Sequence, residues 1–369
     1  MAVHSKKIVI VFNSLRIGGI ETKIVDLCQY YQSQKSVSLE LFLKHPDGPL
    51  LQNLPPCLPI ASPVFPVVFK IRTILFPFWL AVRFHRTKPD LIISFGNYSS
   101  VCAVIARFIA HPQGKLLISE DSSIDVQLKK EKYSFLRKIL VQKLYPLADK
   151  IIVLTHESYK KMILISPPTK SKIIIRSNWL PFTFSSTLPP VPPSRRPNDI
   201  LFIGRFEPQK NPLRFCRIIK KLTLVMPKVK VLMVGSGSLE NSVREYIRDN
   251  GLGSNISTLP ATIENSKMYL KSKILLLTSD HEGFPLTILE SLSAGCLPVC
   301  RSLDELQDFF DYRPNLLSFK SESQASLRLQ LLLSRPSVCA NIINFYRHKV
   351  IIGQNINFNK TIETINGLL

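Results

Sequence analysis

Two cations stand five residues apart in a loop that follows an apolar run. Arg205 and Lys210 belong to the segment G-R-F-E-P-Q-K-N (204–211), directly after the predicted strand 200–203. A guanidinium offers a bidentate fork and an ammonium a compact charge, so the pair suits a single diphosphate group. The alternative is that both are solvated surface cations.

Two carboxylates form a second candidate site in D-H-E-G-F-P-L-T-I-L-E (280–290). Glu282 lies in the loop after the predicted strand 274–277, and Glu290 lies eight residues later on the following helix. Each carboxylate suits a hydrogen bond to a pair of sugar hydroxyls. The alternative for Glu290 is an exposed helix residue, but its helix is largely apolar and would solvate a carboxylate poorly.

Glycine turns precede helices in both halves of the chain. Gly18 and Gly19 lie in N-S-L-R-I-G-G-I-E (13–21), and Gly235 lies in V-G-S-G-S (234–238). Glycine lets the backbone approach a phosphate, and a helix N-terminus favours an anion. Neither segment has the spacing of a dinucleotide-binding fingerprint or a P-loop, so each can equally be a plain turn.

An acidic segment follows a predicted strand of the first half. In I-S-E-D-S-S-I-D (118–125), Glu120 is the candidate acceptor-side group. The alternative is that Glu120 and Asp121 cap a helix.

Apolar runs of four to five residues alternate with helical segments twice along the chain, which predicts an α/β fold with two doubly wound domains. Their carboxyl edges would face one another across a cleft, where such sheets bind ligands. The predicted divisions are an acceptor-side domain (1–185), a Pro- and Ser-rich linker (186–197), a second domain (198–350) and a helical tail (351–369) able to pack back on the first domain.

The charge of the chain is strongly positive and unevenly placed. The formal net charge is +22, and residues 1–197 hold 27 Lys and Arg against 11 Asp and Glu. Such a surplus favours an anionic partner. Nucleic acid is excluded by the lack of zinc-finger spacing or RNP-type motifs. The aromatic and basic stretch 64–88 predicts either an interfacial membrane element or a core-packed helix, and its longest uncharged run, 73–82, is too short to span a bilayer.

These motifs, in this order, resemble those of retaining glycosyltransferases of family 4, which have the GT-B fold of two Rossmann-like domains. The likeness runs from about residue 8 to about residue 310. It implies a hexosyltransferase that moves a sugar from a UDP- or GDP-linked donor to a hydroxyl with retention, without a metal or cofactor. Seven scattered cysteines without a C-x-x-C pair also predict no metal centre.

The resemblance also implies a role for each motif residue. Arg205 and Lys210 would hold the donor diphosphate, Glu282 the transferred sugar and Glu290 the ribose. The other residues implied at the nucleotide-sugar site are Gly18, Gly19, Gly204, Gly235, Gly283, Phe284, Pro285 and Leu286. Glu120 would stand on the acceptor side, where many members have a His or an E-R-N sequence, and this departure leaves the acceptor role of the 118–125 loop open.

The charge and the resemblance together predict the acceptor and the location. The acceptor would be a glycan or a polyprenyl-diphosphate-linked precursor of a cell-surface polysaccharide or lipopolysaccharide. The enzyme would be cytoplasmic and peripheral on the inner face of an anionic membrane. The alternative is a catalytically silent GT-B-like binding or scaffold protein, which donor hydrolysis or transfer would distinguish.

Overall fold

The computed structural model divides the chain into two compact α/β units, Met1–Asn178 with Asn357–Leu369, and Trp179–Ile356. The structure describes residues 5–64, 69–125, 128, 134–182, 184, 192, 195–307, 309–311 and 313–369, with 69, 70 and 354 described by their backbone alone. The prediction of two parallel-sheet domains is confirmed. Most of the predicted linker, 186–197, lies outside the described residues.

Within the described residues, the first unit is built on seven strands in the order β3-β2-β1-β4-β5-β6-β7, all paired in parallel. Its strands are β1 Lys6–Phe12, β2 Val37–Leu43, β3 Ile60–Ala61, β4 Leu91–Phe95, β5 Lys115–Glu120, β6 Lys150–Val153 and β7 Ile173–Ile175. Its helices are α1 Gly19–Gln32, α2 Phe69–Thr87, α3 Asn97–Ala110, α4 Ser134–Leu144 and α5 His156–Ile165. The apolar run of β1 is fully buried from residue 8 to 11, as a sheet covered on both faces requires.

The described part of the second unit has six strands in the order β10-β9-β8-β11-β12-β13. Its strands are β8 Asn198–Ile203, β9 Val231–Val234, β10 Ile256–Leu259, β11 Ser272–Leu277, β12 Leu297–Arg301 and β13 Ser318–Phe319. Its helices are α6 Pro212–Thr223, α7 Glu240–Asp249, α8 Asn265–Leu270, α9 Leu286–Ser293, α10 Pro314–Leu317, α11 Glu322–Ser334 and α12 Pro336–Asn366. All five strand pairings are parallel.

The units divide at different residues from those that the composition indicated. Leu180 and Phe184 precede the Pro-rich stretch, yet they pack in the core of the second unit. Helix α12 runs through the predicted division at 350, and its last part belongs to the first unit. There Asn366 accepts a hydrogen bond from the Tyr31 hydroxyl (2.9 Å), and Thr364 accepts one from Arg176 Nε (2.9 Å).

Helix α2 is apolar on two faces. Phe76, Leu80 and Phe84 are buried in the first unit's core. The opposite face exposes four apolar side chains at helical spacing, namely Ile71, Ile74, Phe78 and Val82. The helix is therefore packed against the core, as one interpretation predicted, and still presents an apolar stripe to solvent. Within the described residues, no helix combines the length and apolarity needed to cross a bilayer.

Arg196, at the end of the predicted linker, is buried and binds three backbone carbonyls. Its guanidinium donates to the carbonyls of Tyr269 (3.2 Å), Ser272 (2.7 Å) and Ala294 (2.8 Å). Two of these carbonyls lie at the C-terminal ends of α8 and α9, where a cation is favourable. Arg196 therefore fixes the helix that carries Glu290.

We expect Arg196→Met to lower the free energy of unfolding of the second unit by about 2–4 kcal/mol, because three buried carbonyls lose a charged donor. Urea titration in a Trp79→Phe background, where Trp179 alone reports on the second unit, measures this. The matched control is Arg195→Met at the exposed neighbouring position, which should change stability by less than about 0.5 kcal/mol. Equal effects of the two substitutions would contradict the role of Arg196.

Candidate functional site

The carboxyl edge of the second sheet brings three of the predicted residues together. The Lys210 Nζ lies 2.6 Å from Glu282 Oε1, and both side chains are largely buried. The charge of Lys210 also acts on Glu290, which is 6% exposed on α9. Lys210 is thus paired with Glu282, and its charge lowers the pKa of the nearby Glu290, at the end of strands β8 and β11.

Glu290 is held by a residue that the sequence analysis did not identify. The hydroxyl of Tyr269, on α8, donates to Glu290 Oε2 at 2.8 Å. Burial raises the pKa of Glu290 to about 7, although the Tyr269 hydrogen bond and the Lys210 charge lower it. Near neutral pH this carboxyl group can therefore hold or release a proton.

Arg205 occupies a different environment from Lys210. Its guanidinium is exposed and lies 3.5 Å from the side-chain oxygen of Gln209. The Gln209 amide in turn donates to the carbonyl of His281 at 3.2 Å. The structure thus ties the Arg205 loop to the Glu282 loop, but it does not bring Arg205 into the contact between Lys210 and Glu282.

A network around Asp280 fixes the two loops. Arg214 Nη1 lies 2.7 Å from Asp280 Oδ1, and Arg301 Nη1 donates to the Asp280 carbonyl at 3.1 Å. Burial alone would raise the pKa of Asp280, but the hydrogen bond and charge of Arg214 lower it overall. Asn211 caps α6 by accepting from the Arg214 amide (3.0 Å), which orients that arginine. Asp280 is therefore a fixed anion behind the site.

The glycine turns of the second unit allow close backbone approach. A Cβ at Gly235 would collide with the carbonyl oxygen of Gly204, and one at Gly237 would collide with the backbone of Phe206. Glu207 accepts from the Ser238 amide (2.9 Å) and hydroxyl (2.7 Å), which joins the two turns. The V-G-S-G-S segment thus supports the Arg205 loop.

The turn into α9 is packed rather than open. Phe284 contacts the ring of Phe309 edge to face (5.2 Å between centroids), and Leu286 is buried. Pro285 precedes the helix, and the Thr287 hydroxyl in its first turn is buried with no hydrogen-bond partner among the described residues. An unsatisfied hydroxyl beside the helix N-terminus suits an anionic ligand.

The first unit holds a separate buried polar cluster at the end of β5. Glu120 accepts a hydrogen bond from the Tyr145 hydroxyl (2.8 Å), which itself accepts one from Asn97 (3.0 Å). Burial raises the pKa of Glu120 to about 8. The next residue, Asp121, forms a buried ion pair with Lys23 of α1. The acidic segment is therefore a core network rather than only a helix cap.

Backbone hydrogen bonds fix the glycine loop of the first unit, and a carboxylate already lies beside this loop. The Leu15 amide donates to the Asp47 carbonyl (2.9 Å), and the Leu50 amide donates to the Leu15 carbonyl (3.1 Å). A side chain at Gly18 would collide with the carboxylate of Glu21 in the first turn of α1. A carboxylate thus lies at the helix N-terminus where the sequence suggested an anionic ligand.

The sequence of the chain is similar to those of known proteins. Residues 188–348 match the model of the family described as glycosyl transferases group 1. The chain is 27% identical over 303 residues to an α-1,4-N-acetyl-D-galactosaminyltransferase of Campylobacter jejuni that acts on a diphosphoundecaprenol-linked saccharide, which covers 80% of this chain and 78% of that enzyme. The chain has the GT-B fold, and its residues 188–348 match a family of glycosyltransferases.

Two further proteins are less similar to this chain in sequence. A second Campylobacter jejuni N-acetylgalactosaminyltransferase is 24% identical over 306 residues, or 80% of each chain. The fold is shared with Anabaena HepE, solved with UDP and glucose, at a TM-score of 0.78 and 15% identity over 97% of this chain and all of that one. The predictions of a glycosyltransferase and of its fold are thus confirmed.

We expect the stability of the glycosyltransferase to fall as the pH rises from about 4.5 to about 8, in part through Glu120. The raised pKa means that the folded state holds a proton that the unfolded state loses near its ordinary pKa of 4.5. Folded protein is therefore favoured below that pH and loses this contribution as the pH approaches 8.

The Glu120→Gln variant tests this, since an amide cannot titrate. Thermal unfolding at pH 5 and pH 8 should differ less in this variant than in the wild type. The control is Glu363→Gln, at an exposed position of the same unit. It should leave the difference in thermal stability between pH 5 and pH 8 as it is in the wild type. An unchanged pH dependence in Glu120→Gln would show that Glu120 is ionised in the folded state.

Proposed function

We propose that this glycosyltransferase moves a sugar from a nucleotide-diphosphate donor to a hydroxyl of a lipid-linked acceptor, with retention of the anomeric configuration. The observation that carries the proposal is the contact of Lys210 with Glu282 beside the buried Glu290, at a sheet edge of the kind that binds nucleotides. A UDP- or GDP-linked hexose is the proposed donor, and the complex of HepE with UDP supports it.

The proposed catalysis is electrostatic. As the bond from the sugar to the diphosphate breaks, negative charge grows on the leaving group and positive charge on the sugar. Lys210, with Arg205 and the amides of the first turn of α9, would stabilise the leaving diphosphate without a metal or cofactor. Glu282 would face the transferred sugar. Glu290 would accept hydrogen bonds from the ribose hydroxyls, and Gly204, Gly235, Gly283, Phe284, Pro285 and Leu286 would surround the donor.

The donor chemistry and the relatives support retention. The common UDP-hexose donors carry an α bond, and the names of the Campylobacter jejuni relatives specify α-linked products. Carboxylates of an inverting or retaining hydrolase flank the scissile bond as a pair. Here Glu282 is paired with Lys210, and the proposed partners of Glu282 and Glu290 are the sugar and the ribose. We therefore do not interpret the two glutamates as a hydrolase pair.

The acceptor side is proposed for the first unit, with Glu120 and the loop around Gly18 and Gly19. The Campylobacter jejuni relatives are named for acceptors on diphosphoundecaprenol, which supports a polyprenyl-diphosphate-linked acceptor here. We place the enzyme at the cytoplasmic face of the membrane that carries such lipids.

The experiment is transfer from a panel of UDP-hexoses, UDP-N-acetylhexosamines and GDP-mannose to a prenyl-diphosphate-linked sugar, with and without EDTA. We expect one donor to give an α-linked product whose anomeric coupling is read by NMR, at the same rate in EDTA. A β-linked product would overturn retention. Binding of a donor without transfer or hydrolysis would favour the scaffold alternative.

The proposed membrane surface is the exposed stripe of α2. Ile74 is 67% exposed and Phe78 54% exposed. Arg86, exposed in the last turn, adds a cation to the same helix. Apolar side chains beside cations suit the headgroup region of an anionic bilayer.

Co-sedimentation with phosphatidylglycerol vesicles tests this surface. We expect the double variant Ile74→Ser with Phe78→Ser to bind at least fivefold less than the wild type at low salt. Leu224→Ser, which removes an exposed leucine of the second unit, is the control and should bind as the wild type does. Equal binding of all three proteins would exclude the α2 stripe.

A further inference from the structure

A second group of polar residues follows strands β1 and β2 at the carboxyl edge of the first sheet. The two strands are parallel neighbours, and the hydrogen bonds between them continue beyond the C-terminal end of each strand. The Lys44 amide donates to the Phe12 carbonyl (3.0 Å), and the His45 amide donates to the Asn13 carbonyl (2.8 Å). Lys44 and His45 thus lie at the edge where α/β sheets bind ligands.

The first turns of α2 and α3 hold the Lys44 ammonium in place. Lys44 Nζ donates to Thr73 Oγ1 at 2.8 Å and lies 4.4 Å from the centre of the Tyr98 ring. The Tyr98 hydroxyl donates to the Thr73 carbonyl at 2.7 Å, which locks the two helices together. Lys44 is 5% exposed, so its charge lies in a region of low dielectric.

Arg72 adds a second cation next to Lys44. The Nη1 atom of Arg72 donates to His45 Nδ1 at 3.0 Å, so His45 is neutral and its Nε2 carries the ring proton. The pKa of His45 is lowered by burial and then by Lys44 and Arg72, which together outweigh the opposite effect of Asp47. The three side chains therefore present donors in a field of positive potential.

We propose that Lys44, His45 and Arg72 bind the phosphate group of the acceptor. The inference rests on the proposed transfer to a phosphate-linked lipid. An ammonium, an imidazole N–H and a guanidinium together suit the several oxygens of a phosphate or diphosphate. Arg72 follows Ile71, the first residue of the exposed α2 stripe, in the chain, and this stripe offers an apolar surface on the same helix for the chain of the acceptor.

The test is the affinity of the full chain for geranyl diphosphate, measured by calorimetry with saturating UDP so that the nucleotide site is filled. We expect Arg72→Gln and Lys44→Gln each to weaken this binding tenfold or more. Lys170→Gln removes an equal charge from an exposed position of the same unit and should stay within twofold of the wild type. Geranyl monophosphate should bind, and geraniol should not.

Three results would overturn the site. Equal losses of affinity in Arg72→Gln and Lys170→Gln would show a general effect of charge. Equal binding of geraniol would show an apolar site without phosphate recognition. Loss of binding to phosphatidylglycerol vesicles in Arg72→Gln, with the affinity for geranyl diphosphate intact, would assign the cations to lipid headgroups. The affinity for UDP and the hydrolysis of the donor report on the proposed function separately, and both should be unchanged in Arg72→Gln.

Discussion

Replacing Lys210 by methionine is expected to lower kcat about 10²–10³-fold, the loss typical of removing one group that stabilises developing negative charge. The Lys210 ammonium is the cation in direct contact with Glu282, at 2.6 Å, and its charge also reaches Glu290. Methionine keeps most of the apolar stem and removes the charge. Turnover of the donor identified by the panel measures the effect.

The control for this variant is Lys273→Met. Lys273 also forms an ion pair, 2.7 Å from Asp199, but it lies at the beginning of β11, away from the sheet's carboxyl edge. The kcat of Lys273→Met should stay within twofold of the wild type. The melting temperatures of Lys210→Met and Lys273→Met should be compared to show that both are folded. A folded Lys210→Met protein with kcat within threefold of the wild type would remove Lys210 from the mechanism.

Donor affinity is expected to weaken as the pH falls below about 7, and Glu290→Gln should abolish this dependence while lowering kcat/KM about 10–100-fold. The pKa of Glu290 is raised to about 7, chiefly by burial, so the group becomes protonated below that pH. A protonated carboxyl accepts hydrogen bonds from ribose hydroxyls less well than a carboxylate does. Losing a hydrogen bond to a charged group costs about 1.5–3 kcal/mol, which matches the expected range.

Calorimetry with a UDP-sugar and its 2′-deoxy counterpart measures this effect, because both phosphates of such donors stay ionised over this range. The wild type should prefer the ribose form, and Glu290→Gln should not. Tyr269→Phe should reduce the same preference, because this substitution removes the hydroxyl that holds the Glu290 carboxylate at 2.8 Å. Glu264→Gln, exposed and paired with Lys267, is the control. A preference for ribose that survives in Glu290→Gln would place the ribose elsewhere.

The two sheets were predictable because their central parallel strands contain continuous apolar runs. Residues 8–11 and 274–277 show this pattern, and the helix that follows 274–277 is bracketed by Pro285 and Gly295. Gly295 has a φ of +70°, which a residue with a side chain rarely adopts. Short strands such as β3, with two residues, have too little pattern to be recognised.

The unit boundaries needed the structure. Composition placed the division in the Pro-rich stretch, whereas the packing of Leu180 and Phe184 decides where the second core begins. The helix α12 likewise has no break in sequence at the point where its residues pass from one unit to the other. A core is defined by which distant side chains meet, and local composition does not report that.

The sequence by itself determined the α/β class, the loops that follow the strands, and the residue types available there, because strand burial and turn chemistry are local properties. Only the tertiary structure decided which of these groups meet. Tyr269 lies 21 residues from Glu290, and Arg72 lies 27 residues from His45, yet each pair is hydrogen-bonded. The raised pKa values of Glu120 and Glu290 also arise from burial by the fold, since the same carboxyl groups in an extended chain would be solvated.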